Sequence, residues 1–116
     1  LLSEYYEPPN VLYNPENKNH EIAIARLIKK SADFFLKKSD REKFCVMEAG
    51  AYRKGDLKTV CKYYQPDISI LTAVGTQHMD LFGSQKNIQE GKFELAEGAH
   101  DRGFFNADNE LLQEIP

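Results

Sequence analysis

Three residues carry metal-binding or phosphoryl-transfer side chains in places where the surrounding pattern is apolar. Glu48 directly follows the run Phe44-Cys45-Val46-Met47. A carboxylate at the end of a buried strand is costly unless it is solvated, paired or bound to a cation. Its oxygens are hard donors of the kind Mg2+ takes, although a solvated loop carboxylate or a helix cap fits the same pattern. His78 closes Val74-Gly75-Thr76-Gln77-His78, after the next apolar run. Gly75 lets the chain turn sharply there and approach a ligand, so His78 is either a metal ligand or phosphate contact, or an exposed loop histidine. Lys92 has Ile88, Leu95 and Ala96 at i−4, i+3 and i+4, on the apolar stripe of its helix. It either snorkels, with its stem buried and its ammonium in water, or it is desolvated, which favours the neutral amine. A neutral amine can add carbon dioxide, losing a proton to become a carbamate that offers oxygen to Mg2+.

The elements that must position these residues alternate between strands and helices. Residues 1–6 read as a helix tail stopped by Pro8 and Pro9, residues 11–13 as a short strand, and residues 14–19 as a loop containing Pro15. From His20 the spacing of Ile24, Leu27, Ile28, Ala32 and Phe35 predicts a helix with one apolar face. Residues 44–47 form a strand covered on both faces. Leu57, Val60, Cys61 and Tyr64 define an amphipathic helix with Asp56 at its N-terminus, ended before Pro66. Residues 68–74 make the next buried strand, and Ser84 caps a helix running to about Glu97. Residues 103–105 make a last strand, and residues 110–115 begin another helix. This order predicts an open α/β sheet of mostly parallel strands flanked by helices, a fold that binds ligands at the carboxyl ends of its strands.

Composition narrows the class further. The 116 residues are 41% hydrophobic and 28% charged, with a net charge of −3, which suits one globular domain. Nothing points to nucleic acid: no basic patch is interleaved with aromatics. No apolar run is long enough for a membrane span. Cys45 and Cys61 both sit in apolar patterns and are expected to be reduced core thiols, as in a cytoplasmic protein. Residues 50–55 have the glycine spacing of a phosphate loop, but Asp56-Leu57 follows where Lys-Ser/Thr is required, so no complete nucleotide cradle is present.

The strand-end segments together resemble a known family. Val46-Met47-Glu48-Ala49-Gly50-Ala51, then Gly55-Asp56-Leu57, is similar to the E-M-G-A … G-D-I segment of Mur ligases. Pro66-Asp67-Ile68, then Gly75 to Ser84, resembles their P-x-x-G-[IV]-[IL]-T-x-[IV]-G-x-x-H-L-x-x-F-G-S segment. Asn87-Ile88 with Lys92-Phe93-Glu94-Leu95 resembles N-I-x-x-x-K-x-E-L, and Phe105-Asn106-Ala107-Asp108-Asn109 resembles the N-x-D-[DN] that closes the next strand. Four segments in register cover the chain from about Phe44 to Glu110. The similarity is greatest to members that add D-alanyl-D-alanine to UDP-muramoyl tripeptide, whose P-E-S-Y-N-T-P-M-G segment is similar to residues 14–19.

The resemblance implies residues 1–116 are part of a Mur ligase central, ATP-binding domain of P-loop/Rossmann-like fold. The phosphate loop is expected before Leu1, and the UDP-binding and C-terminal domains outside the chain. It implies ATP and two Mg2+ ions as cofactors. Glu48 and His78 are implied as metal ligands, with Lys92 as a carbamylated catalytic lysine that shares a metal. Asn19 is implied near the substrate, and Asn106 and Asp108 in the nucleotide-binding cluster. Ala23, where the family has glycine, sets the Asn19 segment apart from the pattern; Ala49, Met79 and Asp80 are milder departures. The implied activity is cytoplasmic, ATP-dependent amide-bond formation in peptidoglycan precursor synthesis, with UDP-muramoyl peptide and D-alanyl-D-alanine as substrates. The alternatives are a related synthetase of the folylpolyglutamate or cyanophycin type, with another acceptor, and a Mur-like domain that binds without catalysis. The piece alone is expected to be inactive, and marginal or self-associating, because an uncovered sheet edge invites pairing.

Overall fold

A computed structural model describes residues 10–14, 19–76 and 78–113. The helix tail expected over residues 1–6, loop residues 15–18, Gln77 and the expected helix end at residues 114–115 lie outside the described residues. The chain divides into two compact units, one up to Gly50 and one from Ala51 onward. Each is built on a pair of parallel strands.

The first unit contains β1 (Val11–Tyr13), α1 (Glu21–Leu36) and β2 (Phe44–Val46). β1 and β2 pair in parallel, with Val11 opposite Phe44 and Tyr13 opposite Val46. Parallel neighbours need a crossover, and α1 supplies it. Its inward stripe buries Ile24 and Leu27, each 4% exposed, but Ala32 and Phe35, expected on the same face, are exposed. The reason is length. A 16-residue helix runs about 24 Å, whereas a three-residue strand covers about 10 Å, so the last turns of α1 overhang the strands. Lys43 closes that end: its Nζ donates to the carbonyls of Phe34 (2.7 Å) and Lys37 and lies 5.3 Å from the Phe34 ring centroid.

The second unit contains α2 (Asp56–Tyr64), β3 (Ile68–Leu71), α3 (Met79–Phe82), α4 (Gln85–Glu97), β4 (Arg102–Phe105) and α5 (Glu110–Gln113). β3 and β4 are parallel, with Ile68 opposite Arg102 and Leu71 opposite Phe105. Its core gathers Leu57, Cys61, Leu71, Val74, Phe82, Ile88 and Leu112. Helix ends follow local chemistry. Gln65 ends α2 as a left-handed cap (φ 50°), its amide donating to the Cys61 carbonyl (2.8 Å), and Pro66 cannot continue the helix. Ser84 caps α4 as expected, its hydroxyl accepting from the Asn87 amide.

Two strand expectations are corrected. β2 ends at Val46, itself 42% exposed, so this strand is not covered on both faces. β3 ends at Leu71, and its side chains alternate, with Ser69 and Leu71 buried while Ile68 and Ile70 are exposed. Val74 stays buried beyond the strand because Asn109 grips its backbone twice: Asn109 Nδ2 donates to the Val74 carbonyl (3.1 Å) and the Val74 amide donates to Asn109 Oδ1 (3.3 Å).

Neither cysteine is in a disulfide; Cys45 is half-buried and Cys61 buried. Burial, and secondarily the charge of Glu94, pushes the Cys61 thiol up from its ordinary value. α2 and α4 meet so closely there that a Cβ on Gly98 would lie 2.4 Å from the Cys61 Cβ. Gly98→Ala is therefore expected to destabilise the protein by about 1–3 kcal/mol, as overpacked cores do; urea denaturation measures it, and an unchanged midpoint would refute the contact. Among the described residues no helix is long and apolar enough to cross a membrane.

Candidate functional site

Polar residues follow the carboxyl ends of the parallel strands in each unit, Asn14 and Glu48 in the first and Asn106 and Asp108 in the second. In the first unit, Glu48 lies two residues beyond β2 and is held from two sides. Asn14, the residue after β1, brackets its backbone: Asn14 Nδ2 donates to the Glu48 carbonyl (2.9 Å) and the Glu48 amide donates to Asn14 Oδ1 (2.8 Å). The side-chain amide thus continues the β1–β2 ladder by one rung. Asn19 orients the side chain, its Nδ2 donating to Glu48 Oε1 at 2.8 Å. Gly50 admits this contact: its amide donates to the Asn19 carbonyl (3.2 Å), and a Cβ there would crowd the Asn19 side chain at 3.2–3.3 Å. Glu48 is exposed, and among the described residues its Oε2 accepts no hydrogen bond.

Two of the expected site residues, Asn19 and Glu48, are therefore brought into direct contact. Asn14 was not legible as a partner, since an asparagine after a strand reads simply as a loop residue.

In the second unit, His78 stands at the N-cap of α3 with φ 62° and ψ 27°. Among the described residues of this loop the left-handed one is His78; Gly75, expected to make the turn, has no left-handed φ and only open space where a Cβ would stand. The His78 carbonyl accepts from the amides of Leu81 (2.9 Å) and Phe82 (3.0 Å), which starts α3. Its exposed ring meets Tyr52 edge-to-face, with centroids 5.0 Å apart.

Lys92 is half-buried on α4, the next helix, one turn beyond the fully buried Ile88. Among the described residues its amine makes no hydrogen bond or ion pair. Its neighbour Glu94, only 7% exposed, has both oxygens committed: Oε1 accepts from the Gly55 amide (2.7 Å) and Oε2 from the Lys58 amide (3.0 Å), at the N-terminus of α2. Nearby, Lys54 and Glu90 form a surface ion pair at 2.6 Å that raises the lysine and lowers the carboxyl from their ordinary values.

Asn106 is largely occupied in joining the two strands. Its Nδ2 donates to the Thr72 carbonyl (3.0 Å), its amide to the Leu71 carbonyl (3.1 Å), and its Oδ1 accepts from the Asp108 amide (3.0 Å). Asp108 is exposed in the turn that follows. Residues 50–55 do not form a phosphate cradle. Asp56 Oδ2 takes the amides of Tyr52 and Arg53, both at 3.0 Å, which a phosphate would otherwise need.

Among the described residues, no three His, Cys, Asp or Glu side chains form a group able to hold a metal ion unaided. Mg2+ keeps several waters and binds through one or two carboxylates together with substrate phosphates. An exposed carboxylate with one oxygen fixed by Asn19 and the other open is such a donor.

Comparison with known proteins adds an independent line. The family model for the Mur ligase middle domain matches residues 4–116. The UDP-N-acetylmuramoyl-tripeptide--D-alanyl-D-alanine ligase of Synechocystis sp. is 30% identical over 107 residues, which are 90% of this chain and 22% of that protein. The ligase of the same name from Bacillus subtilis is 30% identical over 76 residues, 64% of this chain and 17% of that protein. The crystal structure of MurF from Acinetobacter baumannii superposes with a TM-score of 0.68 at 21% identity, over 90% of this chain and 22% of that one. This likeness bears out the α/β fold. The chain spans about a fifth of the length of these relatives.

Proposed function

The chain belongs to the Mur ligase middle domain family, and from that premise we propose that it is the central part of an ATP-dependent ligase of peptidoglycan precursor synthesis. The reaction joins D-alanyl-D-alanine to UDP-muramoyl tripeptide in the cytoplasm. The terminal carboxylate of the tripeptide takes the γ-phosphoryl group of ATP, giving an acyl phosphate and ADP. The amine of D-alanyl-D-alanine then attacks the carbonyl carbon, loses a proton, and phosphate leaves. The observation that carries this reading is the Glu48 carboxylate, exposed at a strand end and oriented by Asn19.

Glu48 would hold one Mg2+ through its open oxygen, and His78 with carbamylated Lys92 a second. When bound, the ions neutralise charge on the transferring phosphoryl group. The residues of this chain supply positioning and electrostatics, and none attacks the substrates as a nucleophile. Asn19 holds the Glu48 carboxylate in one rotamer beside the substrate region. Lys92 offers its half-buried amine, which adds carbon dioxide with loss of one proton. Asn106 sets the turn that carries Asp108, which would contact the nucleotide.

The test uses the full-length protein that contains this chain, supplied with ATP, UDP-muramoyl tripeptide and either D-alanyl-D-alanine or glutamate. Amide product, ADP and phosphate are expected with the dipeptide alone. Turnover with glutamate instead would move the protein to the folylpolyglutamate or cyanophycin type, and no ATP consumption with either would leave a binding domain. With 13C-bicarbonate a carbamate resonance is expected in the wild-type protein and absent from Lys92→Arg. Unmodified Lys92 in the nucleotide-bound protein would end the carbamate assignment.

A further inference from the structure

We propose that Tyr52 is a positioning residue for His78, its ring fixing the imidazole in the orientation that presents a nitrogen to Mg2+; this rests on the reading of His78 as a metal ligand. A residue other than glycine in the left-handed region is strained and persists only where its surroundings hold it. His78 is such a residue, with φ 62° and ψ 27°. Its backbone is held by two bonds from α3, the Leu81 and Phe82 amides donating to its carbonyl. Those bonds leave the exposed imidazole free to rotate about its side-chain torsions. The described contact that restricts it is the Tyr52 ring, edge-to-face at 5.0 Å and 61°. Aromatic pairs prefer this geometry, and the contact removes rotamers the imidazole would otherwise visit.

Tyr52 can act as a fixed surface because its own backbone is tied down. Its amide donates to Asp56 Oδ2 at 3.0 Å, and Asp56 opens α2. α2 is in turn anchored to α4, the helix of Lys92, through the two bonds to Glu94. Tyr52 is thus the last link of a packed chain running from α4 through α2 to His78. The ring, not the hydroxyl, makes the contact, so phenylalanine should serve as well as tyrosine.

The experiment compares His78→Ala, Tyr52→Ala and Tyr52→Phe in the full-length protein, reading the Mg2+ concentration for half-maximal turnover and the 13C-histidine spectrum. The His78 resonance, identified by its loss in His78→Ala, is expected to be displaced by the tyrosine ring current, to return toward the free value in Tyr52→Ala, and to stay displaced in Tyr52→Phe. Tyr52→Ala is expected to raise the Mg2+ requirement about tenfold, as loss of groups that orient a ligand does, with Tyr52→Phe at the wild-type value. If His78→Ala raises the requirement and Tyr52→Ala does not, or if Tyr52→Phe is as impaired as Tyr52→Ala, the positioning role is refuted while His78 keeps its assignment. If His78→Ala leaves the requirement unchanged, the metal-ligand reading itself fails, and the positioning role with it.

Discussion

Replacing Glu48 with alanine in the full-length protein is expected to lower turnover by about 10²–10³-fold, the usual cost of deleting one group that stabilises developing charge. The fold should be unaffected, because the Glu48 side chain is exposed and the Asn14 bracket grips only its backbone. Glu48→Gln is the more searching variant. Glutamine can still accept the Asn19 hydrogen bond through its carbonyl oxygen, so shape and local bonding survive while the negative charge does not. If the carboxylate works as a cation ligand, Glu48→Gln should be nearly as inactive as Glu48→Ala, with a matching rise in the Mg2+ requirement. Asn19→Ala should be milder, about tenfold, since it removes orientation and leaves the charge. Steady-state turnover across a Mg2+ titration reads all three, and near-normal activity in Glu48→Gln would remove Glu48 from the metal site.

The largest stability effect is expected at Glu94. Its carboxylate accepts two amides at the start of α2 while almost fully buried. Helix N-termini leave amides without intrahelical partners, and a negative acceptor there is favoured by the helix dipole as well. Hydrogen bonds to a charged group contribute about 1.5–3 kcal/mol each, and an amide left unsatisfied carries a desolvation penalty besides. Glu94→Ala should therefore cost about 3 kcal/mol or more by the same reckoning. Glu94→Gln should not rescue it, since its NH2 would face one of the two amides, donor against donor. Hydrogen exchange at the Gly55 and Lys58 amides is the direct readout, with protection expected to fall in both variants. Unchanged protection would mean that α2 is capped by other means.

Much of the architecture was legible because it depends on local chemistry. Apolar runs and helical spacing locate the four strands and three long helices of the described residues. Ser84 and Pro66 marked a start and a stop, and Asp56 opens its helix where expected. Helix α3 escaped notice because four residues, Met79–Phe82, carry no period to detect. The end of β3 was misjudged since an apolar run shows where burial continues, not where ladder bonding stops: Val74 is buried beyond the strand. Partners far apart in the chain were the least legible. Asn14 and Glu48 are 34 residues apart, and Gly55 and Glu94 are 39. Nothing in either local segment announces the other. Glu94 shares its helix with Lys92 but is not legible from the sequence, because a carboxylate serving another helix's amides has no short-range signature.

The asparagine brackets bear on how the strands find their correct alignment. Short parallel pairs of three or four residues have few rungs with which to resist slippage, and a one-residue shift turns each side chain to the opposite face. Asn14 and Asn109 each need a backbone donor and a backbone acceptor at one fixed residue of another segment. A slipped arrangement would strand both ends of each carboxamide. The two side chains thus penalise mispairing, and they do so at Glu48 itself and at Val74, four residues before His78.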